Sequence, residues 1–298
     1  MSERRYLAPL PLGGDEGPPW SKGLLSRALA ATGLGATRSY ELAVRADADL
    51  AERETDQLDL DRLAELAAEV LGEAEGARTM RRLRRLHALR QLDVPIVLLV
   101  GGATGTGKST IATEAAHRLG ITRVTSTDFI RQTLRAYFSP AFMPAVHYSS
   151  FEAGAAVDPD GTGDPTIVGF LDQCRHVCVG VDAALQRAMT EGWSMVLEGV
   201  HLVPGLVPES LEGAVLVHAV LEISDEEMHR MHFNVRDATT GGIRPMDKYL
   251  THLDDIRRVQ AHVIDRARRE GVHVVENANV ERTIDAVIEL VMQAAEAT

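Results

Sequence analysis

The stretch PIVLLVGGATGTGKST, residues 95–110, constrains this chain more than any other. Ile96 to Val100 is an uninterrupted apolar run rich in β-branched residues, the pattern of a strand buried on both faces. It leads into Gly102-x4-Gly107-Lys108-Ser109, a phosphate-binding loop signature in the strand-then-helix setting the motif requires. Glycines let successive backbone N–H groups approach phosphate oxygens with no Cβ in the way, and the helix opening at Lys108 adds its positive end. Gly102, Thr104, Gly105, Thr106, Gly107, Lys108, Ser109 and Thr110 are therefore expected to cradle the phosphates of ATP. Lys108 would reach the β- and γ-phosphates as a catalytic cation, and Ser109 would ligate Mg²⁺.

The chain has 298 residues, enough for one large or two ordinary domains, and 45% apolar content allows a sizeable core. Its net charge of −12 argues against a general nucleic-acid or membrane-surface binder. A nucleotide needs only a local cationic pocket. Two cysteines, Cys174 and Cys178, make no disulfide framework, and no apolar segment approaches a membrane span, so a cytoplasmic location is expected. Three of the 31 basic residues are lysine, at 22, 108 and 248, and Lys108 suits a need for a compact point charge.

Before the loop the pattern is helical. Leu24, Leu25, Ala28 and Leu29 form one apolar stripe; Thr37 or Ser39 would cap a second helix through Ala46, and Leu58 to Leu71 is clearly amphipathic. Arg78, Arg81, Arg82 and Arg85 share a face of a further helix running to Leu92, which fits an anion site or a solvated surface. Composition changes at Asp93-Val94. The expected organisation is a small helical domain over 1–91, then an α/β domain over 92–298 with a doubly wound parallel sheet.

Beyond the loop, a strand over Arg123–Ser126 delivers Asp128, placed either to accept a proton from a hydroxyl acceptor or simply to cap the next helix. Arg131, one turn on, suits an anionic substrate. Residues 139–165 read as a long polar loop carrying His147, Ser149 and Ser150 as substrate contacts. A helix over 166–191 places Cys174 and Cys178 among core residues. The next strand ends in Glu198, which fits a Mg²⁺ ligand opposite Ser109 or a structural acceptor; His201 follows as a substrate contact or a packed histidine. Arg230 and Arg236, then Thr239-Thr240-Gly241-Gly242 and Arg244, suggest an arginine-bearing lid over the transferring phosphate, though arginines also solvate helices. One helix from Lys248 to Arg269, a strand over Val272–Val275 and a closing helix complete the pattern.

These residues describe a P-loop kinase for a small molecule. The segments PPWSKGLLSRALAATGL, GGATGTGKSTIA, VTSTDFIR, PAVHYSSFEAG and LEGVHLVPG, in that order, resemble archaeal-type 2-phosphoglycerate kinase and its bacterial relatives. The resemblance implies ATP-dependent phosphorylation of 2-phosphoglycerate to 2,3-bisphosphoglycerate, with an ATP-cone-like module over 18–91 in which Lys22 is a possible phosphate contact. It assigns Lys108 and Ser109 to the P-loop, and Asp128, Arg131, His147, Ser149 and Ser150 to a small anionic acceptor. Glu198 and His201 fall in the second acidic motif, and Arg230, Arg236 and Arg244 in the lid region. A uridine- or pantothenate-kinase-like enzyme is the alternative, although 4% aromatic content leaves a nucleoside few rings to stack on. A non-catalytic ATP-binding regulator is the third reading, and Asp128 argues against it.

Overall fold

The first strand, β1 (Ile96–Gly102), is buried along its whole length because it is the central strand of a five-stranded sheet. The computed structural model describes residues 7, 10–12, 19–158, 160–240 and 246–298, with backbone alone over 235–240. The sheet order is β2 (Val124–Ser126), β3 (Met195–Glu198), β1, β4 (Val215–Glu222), β5 (His273–Glu276), and every neighbouring pair is parallel. The register sets Val100 beside both Glu198 and Ala219, and Ser126 beside Glu198. From β1 the chain moves to one edge, returns through β3, then crosses to β4 on the other side. The direction of winding therefore reverses at β1, and ligands in open α/β sheets bind at the carboxyl end of such a switch point.

The chain divides into two units, one of residues 1–94, 115–122 and 292–298, the other of 95–114 and 123–291. The first holds α1 (Lys22–Ala30), α2 (Ala36–Glu52), α3 (Leu60–Leu71) and α4 (Glu73–Leu89) around a core that includes Leu25, Leu29, Leu42, Leu63, Leu66 and Leu83. Helix α2 departs from its expected cap and end. Ser39 is buried, with its hydroxyl donating to Leu34 O, and Gly35 precedes the helix without a side-chain cap. The helix continues through the acidic stretch because its carboxylates are neutralised. Asp49, 2% exposed, accepts from Arg62 Nη2 at 2.6 Å, and Asp47 accepts from Trp20 Nε1 and Lys22 Nζ. Lys22 is thus engaged by a carboxylate. On α4, Arg82 donates to Thr32 O and Arg85 to Glu296, so those two are tied within this unit.

The second unit contains the sheet. Helices α5 (Lys108–Leu119) and α6 (Thr127–Tyr137) follow β1 and β2, and two short 3₁₀ turns, Pro144–His147 and Ala153–Ala156, punctuate the segment expected to be loop. Asp164 then caps α7 (Pro165–Glu191), accepting from Thr166 N, and Gly192 ends it in the left-handed conformation. From α7, Cys178, Val181 and Leu185 pack on Val97, Leu99, Met195 and Leu197. Full burial of each such aliphatic side chain is worth about 1.5–3 kcal/mol. Beyond β4 come α8 (Glu226–Thr240), α9 (Met246–Thr251), α10 (Leu253–Arg269) and, after β5, α11 (Val280–Glu296). The single helix expected from Lys248 to Arg269 is broken at His252, whose ring is held by Glu152, Asp255 and Phe151. No described helix is long and apolar enough to cross a membrane.

Candidate active site

The phosphate-binding loop stands at the carboxyl end of β1, with Gly102, Gly105 and Gly107 at φ +133°, +86° and +83°. A Cβ on Gly105 would stand 2.5 Å from Phe233 Cζ, so glycine is required there by backbone and by space. Lys108 is 8% exposed, and its ammonium donates to Ala103 O at 2.5 Å inside the loop. Burial lowers its proton affinity, while Glu198 and Asp128 act in the opposite sense. The Ser109 hydroxyl donates to Glu198 Oε1 at 3.0 Å. That contact brings together the two residues expected to hold Mg²⁺, because Glu198 ends the strand beside β1. Their hard oxygens suit Mg²⁺, which takes few protein ligands and completes its shell with water and phosphate. No cluster of three or more His, Cys, Asp or Glu side chains suited to a metal occurs among the described residues.

Asp128 lies in the first turn of α6, where Ser126 rather than Asp128 is the N-cap, accepting from Phe129 N. Its carboxyl is 58% exposed and accepts from Arg131 Nε at 3.4 Å. Partial burial raises its pKa, but the nearby charges, Arg131 and Lys108 among them, prevail and hold it below the usual carboxylate value. Arg131 in turn donates through Nη1 to Val146 O and Tyr148 O, both at 3.0 Å, fixing the loop that carries the expected acceptor contacts. In that loop Ser150 is 7% exposed and its hydroxyl lies 3.4 Å from Thr104 Oγ1 of the P-loop. Ser149 accepts from Lys248 Nζ at 3.3 Å, and Lys248 pairs with Glu152 at 2.7 Å. His147 is spent on Phe138 O at 2.9 Å, helping to close its own loop.

Of the two readings offered for His201, the structure matches the packed histidine. It is fully buried, and both ring nitrogens are engaged by protein groups. Gln173 Nε2 donates to Ala145 O and Tyr148 O, so Gln173 Oε1 must accept from His201 Nε2–H at 2.9 Å. Nδ1 is then the acceptor, and Thr127 O–H donates to it at 2.7 Å. Burial pushes the ring pKa down to about 3, with Asp128 opposing, so the neutral ring bridges α6 to α7 and the acceptor loop. Of the arginines assigned to the lid, Arg230 pairs with Glu226 at 2.7 Å and approaches Glu227 on its own helix. The Arg236 side chain and the whole of Arg244 lie outside the described residues.

Three residues without an expected site role meet the P-loop from outside. His229 Nε2 donates to Thr104 O at 2.8 Å, His232 Nδ1 to Gly105 O at 3.0 Å, and Asn277 Nδ2 to Thr106 O at 2.9 Å. The i, i+3 spacing of the two histidines on α8 was the available signal, since it puts both on one face. A groove of about 600 Å³, lined by Ser109, Thr110, Thr113, Glu114, Val280, Glu281 and Ile284, lies beside the loop.

A parallel sheet of this order, with a P-loop at its switch point and an acid at the adjoining strand end, defines a P-loop kinase. No family model matches the chain. A 2-phosphoglycerate kinase of Methanothermobacter thermautotrophicus is 37% identical over 273 residues, spanning 91% of this chain and 89% of the relative. Those of Pyrococcus horikoshii and Methanopyrus kandleri are 34% and 32% identical, spanning 92% and 91% of this chain and 90% and 83% of their own. The chain belongs to the 2-phosphoglycerate kinase family.

Proposed function

We propose that this protein transfers the γ-phosphoryl group of ATP to the free hydroxyl of 2-phosphoglycerate, giving 2,3-bisphosphoglycerate and ADP. The observation that carries the reading is the Ser109–Glu198 contact beside Lys108, with Asp128 at the next strand end, in a chain of this family. Lys108 leaves Ala103 O for the β- and γ-phosphate oxygens. Ser109 and Glu198 would hold Mg²⁺, which would neutralise charge on the phosphates. The groove between α5 and α11 takes the nucleoside end of the donor, its size being ordinary for a ligand site.

Asp128, ionised at neutral pH, accepts the acceptor's hydroxyl proton as that oxygen bonds to the γ-phosphorus and the bond to the β–γ bridging oxygen breaks. Arg131, Ser149 and Ser150 line the acceptor side, and His147 and His201 support that side by shaping it. Arg230, Arg236 and Arg244 belong to the lid in this reading, with Arg230 exchanging its glutamates for phosphate oxygens. Residues 1–91 form a separate module and 92–298 the catalytic one in this reading; the boundary at Val94–Pro95 supports it, while 115–122 and 292–298 group with the first unit. The charge of −12 supports a small metabolite rather than nucleic acid as partner.

The test is ADP release with 2-phosphoglycerate, 3-phosphoglycerate, glycerate, uridine and pantothenate, with the product read by phosphorus NMR. Turnover is expected with 2-phosphoglycerate. Turnover with another of the panel and none with 2-phosphoglycerate would sink the assignment.

A further inference from the structure

The N–H of each peptide points away from the C=O of the same planar, trans unit. Fixing one carbonyl of the P-loop outward therefore fixes the next residue's N–H inward. The carbonyls of Thr104, Gly105 and Thr106 are all fixed outward, by His229, His232 and Asn277. The N–H groups of Gly105, Thr106 and Gly107 are thereby turned to the interior. There Ala103 O, already holding Lys108, takes a long 3.4 Å contact from Thr106 N.

His229 is itself held. His229 is fully buried and stacks on Phe233 at 5.3 Å and 18°; Phe233 stacks on Tyr249 of α9 at 5.1 Å and 2°. The Phe233 ring fills the space that a Cβ on Gly105 would need. With Nε2–H directed at Thr104 O, the other nitrogen of His229 is the unprotonated one, and it has no partner among the described residues. Burying that lone pair unpaired is a cost, set against the fixed position of one loop carbonyl.

We infer that His229 and His232 are positioning residues for the phosphoryl donor. They hold the loop in its phosphate-receiving form before ATP arrives, so that binding does not have to order it. The inference rests on reading the P-loop as the ATP site, and it assigns no contact between either histidine and substrate.

The test uses the full chain, Mg²⁺ and a non-hydrolysable ATP analogue in a calorimeter, alongside steady-state kinetics. His229→Leu and His232→Leu should each weaken the analogue about tenfold, the effect of leaving one carbonyl unpaired. His229→Gln places an amide N–H where Nε2 stands, and His232→Asn places one where Nδ1 stands; both should recover to within about threefold of wild type. The mismatched amides, His229→Asn and His232→Gln, should behave like leucine, and they decide the matter if the leucine variants fail to fold. KM for ATP should rise while KM for the acceptor stays put. Matched amides no better than mismatched ones, or equal shifts in both KM values, would overturn the inference. Analogue binding needs no acceptor, so altered affinity in these variants stands even if 2-phosphoglycerate is not the substrate. A wild type that binds no analogue would overturn both readings of the loop.

Discussion

Lowering the pH from 7 to 5 should strip a large part of the stability of the sheet-bearing unit, through histidines buried as neutral rings. His201 and His229 are fully buried, and burial pushes their pKa values down to about 3 and about 4 from the free value of 6.5. Between those limits the unfolded chain binds a proton that the folded ring refuses. Stability is therefore complete above pH 6.5 and is lost as the pH falls toward 4. Each group costs about 1.4 kcal/mol per pH unit in that window. At pH 5 the two together cost about 4 kcal/mol, a sizeable share of the ~5–15 kcal/mol that holds a typical domain folded. The half-buried His218, pushed down to about 4, moves the same way. At ~2–4 °C per kcal/mol for a unit of this size, the melting temperature should fall by roughly 8–16 °C. Scanning calorimetry from pH 8 to 4.5 measures it. The carboxylates add little here, because Asp128 and Glu152 are held below their ordinary values and titrate lower. A melting temperature flat between pH 7 and 5 would refute the reasoning, as would an unchanged slope in the double variant His201→Gln, His229→Gln.

Three further outcomes are expected from the site. Asp128→Asn should lower kcat by at least about a hundredfold, the usual scale for a general base, with analogue affinity unchanged. Wild-type turnover in that variant would remove the base assignment. Glu198→Gln should raise the Mg²⁺ concentration for half-maximal activity about tenfold or more while melting as wild type does, which a Mg²⁺ titration reads directly. Gly105→Ala combines positive φ with a clash on Phe233, so nucleotide binding should fall at least about tenfold; adding Phe233→Leu should recover the steric part but not the backbone part.

How far the sequence could be read depended on whether a feature was local. β1 and the P-loop declare themselves through a continuous apolar run and fixed glycine spacing, and α7 was legible over 166–191, whereas the Asp164 cap that starts it is seen only in the structure. Glu198 was legible because a buried strand ended in an acid. The roles of His229 and Asn277 were not, since they rest on carbonyls 125 and 171 residues away. For His201 the packed role was foreseen as one of two, but its partners Gln173 and Thr127, 28 and 74 residues off, were not. The break at His252 had no glycine or proline to announce it; Glu152, exactly a hundred positions earlier in the chain, helps to hold that ring. Helix α2 ran past its expected end because charge neutralisation by Arg62 and Lys22 comes from outside the helix.

The two sulfurs of α7 give the protein a built-in clock. Cys174 is fully buried and its thiol is pushed well up, while the Cys178 thiol is pushed up to about 11 and donates to His201 O. Thiolate is the species that alkylating reagents attack, so the native protein should be nearly inert to them. Modification then advances only as fast as α7 loosens from the sheet. Because Gln173 on the same helix anchors the acceptor loop, the rate of labelling reports how often that anchor lets go, and a bound acceptor should slow it.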